Sequence, residues 1–195
     1  MQVAVLLYPG CIFFEIALAT ETLAKHLPVR YYTPDGQPHQ GSNGSTISSA
    51  GDLSALKSAS TRAVLVPGGD PRALLLPTAI ATEALQAQAG AGAVVAGICA
   101  GNLVMASAGL LQGRRGTHNY TAEYAPPDKV TATHAFWTGM HFIRANLVQD
   151  GNIITAQAWA YRQYTAAVGR ALRVLSEDEA ANLESYIARR TYSDA

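Results

Sequence analysis

Short apolar runs alternate with longer amphipathic segments along the first half of the chain. Four such runs predict strands, at residues 3–8, 29–33, 63–66 and 93–96. Apolar residues at helical spacing predict helices at residues 13–26, 72–89 and 102–111. Because the strand runs are continuously apolar, helices should cover both faces of the sheet. The pattern therefore predicts an α/β sandwich with a mainly parallel sheet.

Turn-forming and capping residues predict hairpins and a helix start in other parts of the chain. Residues 37–51 are rich in Gly, Ser, Asn and Thr, which predicts a polar excursion or an edge hairpin rather than a linker between domains. Asp150-Gly151, between residues 144–149 and 153–157, predicts a two-residue hairpin turn. The segment from Ser176 to Glu179 predicts a capping box. It is followed by a docked helix with an apolar stripe and by a short polar tail, and the stripe is formed by Leu183 and Ile187.

Size and charge narrow the class of protein. A chain of 195 residues that is 49% hydrophobic can bury one core, so we expect a single domain over residues 1–195. With 14 basic and 14 acidic residues and no charge run, nothing favours nucleic acid or anionic lipid as a partner. No apolar run approaches the ~20 residues of a membrane helix. Only Cys11 and Cys99 are cysteines, and the amino terminus resembles no leader, so we expect a reduced, cytoplasmic setting.

Cys99 is the candidate nucleophile. It stands at the apex of a small-residue turn between an apolar strand and an alanine-rich helix, with Gly97 and Gly101 two positions to either side. This is the pattern of a nucleophile elbow, with cysteine in place of serine. A position at a helix N-terminus favours the thiolate. The alternative is a buried small hydrophobe beside a tight turn, and the flanking glycines favour the nucleophile.

Glu15 is the candidate acid. Ligands of open α/β sheets bind beyond the carboxyl ends of the strands, and Glu15 follows the first strand as the only charge among residues 12–16. A partly buried carboxyl can stay protonated near neutral pH and donate a hydrogen bond to a thiolate. The alternative is an acid in a first helical turn that faces water.

Two further loops supply candidate substrate contacts. Gly69, in the turn after the third strand, has an amide that we expect to act with the amide of Ala100 as an oxyanion hole. The alternative is a plain strand-to-helix turn. His118, after the elbow helix, is a candidate general base or hydrogen-bond donor, and its alternative is a structural role. His134 and His141 fit no common zinc spacing, so we predict no metal site.

Cys11 lies in the loop after the first strand, toward the same sheet edge as Cys99. A structural role is expected for it, with a disulfide to Cys99 as the alternative.

Taken together, Glu15, the Pro67-Gly68-Gly69 turn, the elbow at residues 97–101 and Thr117-His118 resemble the ThiJ/PfpI superfamily, and the likeness covers most of the chain. Residues 108–115 and 148–155 resemble its bacterial branch, which contains isonitrile hydratases. The resemblance implies a flavodoxin-like, three-layer fold related to class I glutamine amidotransferases. It also implies Cys99 as nucleophile, Glu15 as its protonated partner, His118 as a proton carrier, and usually a homodimer.

Departures from the family patterns separate its activities. Peptidase-like members carry histidine directly after the cysteine, where this chain has Ala100. Isonitrile hydratases carry aspartate in place of Glu15 and threonine in place of Ala100. Small residues usually follow the last strand, whereas this chain has the bulky Gln157 and Trp159, which are expected to reshape the pocket.

The leading hypothesis is a cofactor-independent lyase or hydratase that acts on a small reactive electrophile. A 2-oxoaldehyde such as methylglyoxal fits best, in a glyoxalase III or deglycase-like reaction. One alternative is an isonitrile hydratase. Another is a thiol redox sensor without turnover, in which Cys99 is oxidised reversibly.

Overall fold

The computed structural model describes residues 1–75 and 80–185. Its strands are β1 (Gln2–Leu6), β2 (Val29–Tyr32), β3 (His39–Gln40), β4 (Thr46–Ile47), β5 (Thr61–Val66), β6 (Val94–Ile98), β7 (Arg115–Gly116), β8 (His141–Phe142), β9 (Leu147–Asp150) and β10 (Ile153–Ala156). Its helices are α1 (Phe14–Leu23), α2 (Leu53–Ser58), α3 (Arg72–Leu75), α4 (Ile80–Gly90), α5 (Gly101–Ser107), α6 (Pro127–Thr133), the 3-10 helix η1 (His134–Trp137), α7 (Tyr161–Ala171) and α8 (Glu177–Ser185).

Six of the strands form the central sheet, in the order β2-β1-β5-β6-β10-β9. Neighbouring strands from β2 to β10 run parallel, and the edge strand β9 pairs antiparallel with β10. Every residue of β6 is buried, and successive strand residues point to opposite faces, so both faces of the sheet are covered. The predicted α/β sandwich with a mainly parallel sheet is confirmed.

The helices pack in two groups. One group contains α1, α7 and α8, and the other contains α2, α4 and α5. Helices of both groups contact β6, the strand that leads to Cys99. Within the described residues, no helix combines the length and the apolar character that a membrane crossing requires.

The predicted elements agree with the observed ones apart from their ends. The four predicted strands correspond to β1, β2, β5 and β6. The first predicted helix ends earlier than expected, at Leu23, and the elbow helix ends at Ser107, followed by turns. The helix predicted at residues 72–89 corresponds to α3 and α4, and its residues 76–79 lie outside the described residues.

Both predicted hairpins form. The polar segment at residues 37–51 contains the antiparallel pair of β3 and β4. In the second hairpin Asp150 pairs with Ile153, so the loop residues are Gly151 and Asn152 rather than Asp150 and Gly151. A two-residue turn with a positive φ only at its first position favours glycine there, which Gly151 supplies, and the carboxylate of Asp150 accepts a hydrogen bond from the backbone N–H of Arg115. Gly151 takes the positive φ of 62° that this turn requires.

The predicted capping box is confirmed at α8. The backbone N–H of Ser176 donates to Oε2 of Glu179, and the backbone N–H of Glu179 donates to Oγ of Ser176. The helix docks on α7, with Leu183 half-buried. Ile187 and the predicted polar tail lie outside the described residues.

Candidate active site

Three neighbouring parallel strands bring the candidate residues to one sheet edge. Glu15 lies in the first turn of α1, which follows β1, and Gly68 and Gly69 follow β5. Cys99 follows β6 directly. Since β1, β5 and β6 are adjacent and parallel, their carboxyl ends meet, although Glu15 and Cys99 are far apart in sequence.

Cys99 occupies a strained turn. Its φ is +55°, a left-handed conformation that is costly for a residue with a Cβ atom. The two flanking positions leave no space for a side chain. A Cβ on Gly101 would collide with the carbonyl oxygen of Val66, and a Cβ on Gly97 would lie 2.5 Å from Sδ of Met105. This is the strand-to-helix geometry of a nucleophile elbow, with the cysteine side chain partly exposed at its apex.

Glu15 is buried against Cys99. Its exposed fraction is 4%, its carboxyl hydrogen-bonds the Cys99 side chain, and its Oε2 accepts a 2.7 Å hydrogen bond from the backbone N–H of Gly68. A Cβ on Gly68 would lie 2.5 Å from Oε2 of Glu15 and 2.6 Å from Cβ of Cys99, so only glycine allows this contact. Glu15 therefore faces the thiol and not the solvent.

The pKa values of both Glu15 and Cys99 are raised above their ordinary values. Burial raises the pKa of Glu15 to about 7, against hydrogen bonds from Gly68 and Cys99 that lower it. Burial also raises the pKa of Cys99 to about 12, and the adjacent Glu15 carboxyl adds to that rise. The expected lowering by the helix N-terminus does not prevail, because α5 has only seven residues and the sulfur is largely desolvated. Since two negative charges in contact are costly, the thiol keeps its proton at neutral pH, the range in which the carboxyl titrates.

Two backbone amides converge on the sulfur. The N–H groups of Ala100 and Gly69 both hydrogen-bond Cys99 and lower its pKa, opposing the effect of burial. Gly69 has a φ of +122°, and a Cβ there would collide with the carbonyl oxygen of Gly10. The loop that carries it is held by an antiparallel bridge between Cys11 and Gly69. The arrangement offers two donors to an oxygen that forms next to the sulfur.

His118 belongs to an aromatic cluster. Its ring stacks on Trp137, with centroids 3.9 Å apart and planes 10° apart, and lies 5.0 Å from the ring of Phe142. Its Nδ1 accepts a 3.0 Å hydrogen bond from the backbone N–H of Tyr120, so the neutral ring carries its proton on Nε2. Burial lowers the pKa of His118 to about 4. His118 is therefore neutral at physiological pH and acts as a donor rather than as a cation.

Tyr120 is a site residue that the sequence does not single out. Burial raises the pKa of its phenol to about 12, with smaller contributions from Cys99, Asp70 and Glu15. These interactions place the phenol in the electrostatic field of the reactive pair. The only local signal is its position two residues after His118, and the fold is needed to bring it toward the elbow.

Residues after β10 support the His118 loop. The buried amide of Gln157 donates to Oγ1 of Thr117 at 2.8 Å and to the backbone carbonyl of His118 at 3.0 Å. Trp159, by contrast, is 49% exposed and packs edge-on against Tyr124, with ring centroids 5.1 Å apart. Gln157 thus acts on the loop that carries His118, and Trp159 lies at the surface.

Cys11 and Cys99 are both free thiols, and Cys11 is buried.

Within residues 1–75 and 80–185, no group of three or more His, Cys, Asp or Glu side chains is placed to hold a metal ion.

Comparison with known proteins agrees with this geometry. A DJ-1 superfamily protein from Agrobacterium tumefaciens superposes with a TM-score of 0.81 at 21% identity, covering 96% of this chain and 98% of that one. Drosophila melanogaster DJ-1beta superposes with a TM-score of 0.76 at 20% identity, covering 98% of this chain and all of that one (100%). At these identities the likeness concerns the fold. The search of curated proteins finds no significant match.

The family is assigned from the sequence and not from the structural likeness. The model of the DJ-1/PfpI family matches residues 1–175, which include the elbow, Glu15 on α1, the Gly68-Gly69 loop and the loop that carries His118. This chain belongs to the DJ-1/PfpI family.

Proposed function

We propose that this protein is a cysteine-dependent lyase or hydratase that acts on a small reactive electrophile, with a 2-oxoaldehyde such as methylglyoxal as its substrate. One observation carries the proposal: a buried carboxyl is hydrogen-bonded to a partly exposed thiol, to which two backbone N–H groups also point. A carboxyl with a pKa near 7 can accept the thiol proton and return it at neutral pH.

The first step is addition to the aldehyde. Sγ of Cys99 bonds to the aldehyde carbon, the carbonyl π bond opens onto oxygen, and the thiol proton passes to the Glu15 carboxylate. The amides of Gly69 and Ala100 stabilise the negative charge on that oxygen. Glu15 then protonates the oxygen and a hemithioacetal results. Because the thiol is protonated at rest, Glu15 acts in this step as a general base, whereas the resemblance implies a protonated Glu15.

The second step is internal redox chemistry. A proton moves from the former aldehyde carbon to the adjacent ketone carbon, and the hydroxyl proton of the hemithioacetal moves to the ketone oxygen. The first carbon is thereby oxidised to a thioester while the second is reduced to an alcohol. Glu15 carries these protons, with His118 in the role predicted for it as a hydrogen-bond donor or proton carrier. Water then cleaves the thioester to a 2-hydroxy acid and restores the thiol. The electrons balance within the substrate, so the reaction needs no organic cofactor.

The decisive experiment is product formation from methylglyoxal. We expect the wild-type protein to form lactate, Cys99→Ala to be reduced to the background rate, and Cys11→Ala, the matched control, to retain activity. Equal background rates for the wild-type protein and Cys99→Ala would refute the proposal. Release of lactate from a methylglyoxal adduct of a thiol or an amine distinguishes a deglycase from a glyoxalase.

The two other activities remain distinguishable with the same variants. Isonitrile hydration would convert an isonitrile to its N-substituted formamide in a reaction that depends on Cys99. A redox sensor would oxidise Cys99 reversibly without turnover of an electrophile. Intact mass after graded peroxide treatment tests the sensor, because Cys99 would then gain oxygen faster than a control thiol.

We also propose that the protein forms a homodimer and is located in the cytoplasm. Phe14, which adjoins Glu15 in the first turn of α1, is 63% exposed, and its ring lies 5.1 Å from that of Tyr161. A large exposed ring beside the reactive pair suits a contact with a second copy. The free thiols Cys11 and Cys99 suit a reducing compartment.

A further inference from the structure

A cavity of about 690 Å³ adjoins the reactive pair. Gly69, whose amide hydrogen-bonds the Cys99 sulfur, forms part of its wall. Leu103, one helical turn beyond Cys99, and Tyr120, which interacts electrostatically with Cys99, also line it. The cavity therefore extends from the Gly69 loop, beside the thiol, to the surface formed by α3 and α6.

The wall of this cavity is largely apolar. Its apolar members are Leu75, Leu103, Ala125, Pro126, Ala132 and Phe136. The charged residues Asp70, Arg72 and Lys129 also line it, and the side chains of Asp70 and Arg72 form an ion pair with each other. Apolar walls with a few polar groups are typical of pockets that bind the hydrocarbon part of a ligand.

The volume exceeds what a three-carbon substrate needs. Pockets of about 300–1,000 Å³ usually hold ligands of drug size. Methylglyoxal has one methyl group beyond its two carbonyl carbons, so it would leave most of this wall in contact with water. A ring or a long alkyl group on the ketone carbon would cover the wall instead.

From this geometry we infer that the cavity receives the side chain of the substrate, and that the protein prefers 2-oxoaldehydes with a ring-sized apolar group over methylglyoxal. This inference rests on the proposed function and specifies its substrate class. The covalent steps are unchanged, because the group in the cavity is not the group that reacts.

Kinetics with two substrates test the inference. We expect kcat/KM for phenylglyoxal to exceed that for methylglyoxal by about tenfold or more, as one pocket-filling group commonly provides. Ala132→Trp, at an exposed position on the cavity wall, should lower kcat/KM for phenylglyoxal about tenfold and change that for methylglyoxal less than about twofold. Ala135→Trp, at an exposed position of η1 outside this wall, is the matched control and should change neither.

A second variant of the cavity wall keeps the test valid if Ala132→Trp does not fold. Phe136→Ala removes an aromatic surface from the wall and should also lower kcat/KM for phenylglyoxal selectively. The inference is overturned if methylglyoxal is the better substrate, or if the wall variants reduce both substrates equally while the protein stays folded. If the wild-type protein converts neither substrate, the proposed function itself fails.

Discussion

The backbone N–H of Gly68 donates a 2.7 Å hydrogen bond to Oε2 of Glu15, and this contact joins the loop after β5 to the first turn of α1. It stabilises the charged form of an acid that burial would otherwise keep neutral. The two effects leave the pKa of Glu15 near 7, in the range where a carboxyl can serve as both base and acid.

Glu15→Gln should lower the pKa of Cys99. The Glu15 carboxyl raises the thiol pKa by its charge and by its hydrogen bond, and the variant removes the charge while it preserves the shape of the side chain. The measurement is the pH dependence of Cys99 alkylation in both proteins. Lactate formation from methylglyoxal should fall about 100-fold or more, because the proton acceptor is lost.

Glu21→Gln is the matched control for this variant, since Glu21 is an exposed acid on the same helix. It should leave the alkylation profile unchanged. A Cys99 pKa that is unchanged or higher in Glu15→Gln would mean that Glu15 is already protonated when the thiol ionises.

Gly101→Ala should destabilise the fold by about 1–3 kcal/mol, because the new methyl group would collide with the Val66 carbonyl where the elbow crosses β5. Gly90→Ala is the control. A Cβ at Gly90, in the last turn of α4, meets no atom within 4 Å, so this change should be neutral or stabilising by about 0.5–1 kcal/mol. Urea denaturation of the two variants measures both effects, and equal stabilities would contradict the steric account of the elbow.

His118 should make stability depend on pH in acid. Its pKa is about 4 in the folded protein and near the ordinary 6.5 when unfolded, so the unfolded chain binds more protons between these values. The contribution of His118 is full above pH 6.5 and is lost as the pH falls through 4. The difference in free energy of unfolding between the wild-type protein and His118→Gln should therefore decline by roughly 3 kcal/mol over this range.

Comparison with His118→Gln is necessary because Glu15 has the opposite effect. Its pKa is raised from 4.5 to about 7, so its contribution to stability is full below pH 4.5 and declines toward pH 7 in both proteins. The exposed Gln112, which carries no titratable group, provides the control variant Gln112→Ala, for which the difference should be constant with pH. A flat difference for His118→Gln as well would contradict the burial of a neutral imidazole.

Phe14→Asp should convert the proposed homodimer to a monomer, because a charge at the exposed ring position would be desolvated in the interface. Light scattering coupled to size exclusion measures the mass. Ile143→Asp, at an apolar position of 40% exposure away from α1, is the control and should leave the mass unchanged. A wild-type protein with the mass of a monomer would remove the homodimer from the proposal.

Local sequence was sufficient for the elements and for the elbow. The spacing of Gly97, Cys99 and Gly101 predicts the strand-to-helix turn because its steric demands arise among neighbouring residues. Apolar runs likewise predict β1, β5 and β6, because a strand that is buried on both faces needs apolar residues at consecutive positions. The hairpin turn was misplaced by one position because Asp150-Gly151 and Gly151-Asn152 are both acceptable local turn pairs, and the strand register decides between them.

Only the tertiary structure decided the chemistry of the site. Whether Glu15 faced water or the thiol depended on the adjacency of β1, β5 and β6, which no local pattern contains. The pKa of Cys99, the place of His118 among aromatic rings and the part of Tyr120 in the cavity wall depend on the same assembly. Burial and electrostatic interaction are sums over all neighbours in space, whereas turn and strand preferences are properties of consecutive residues.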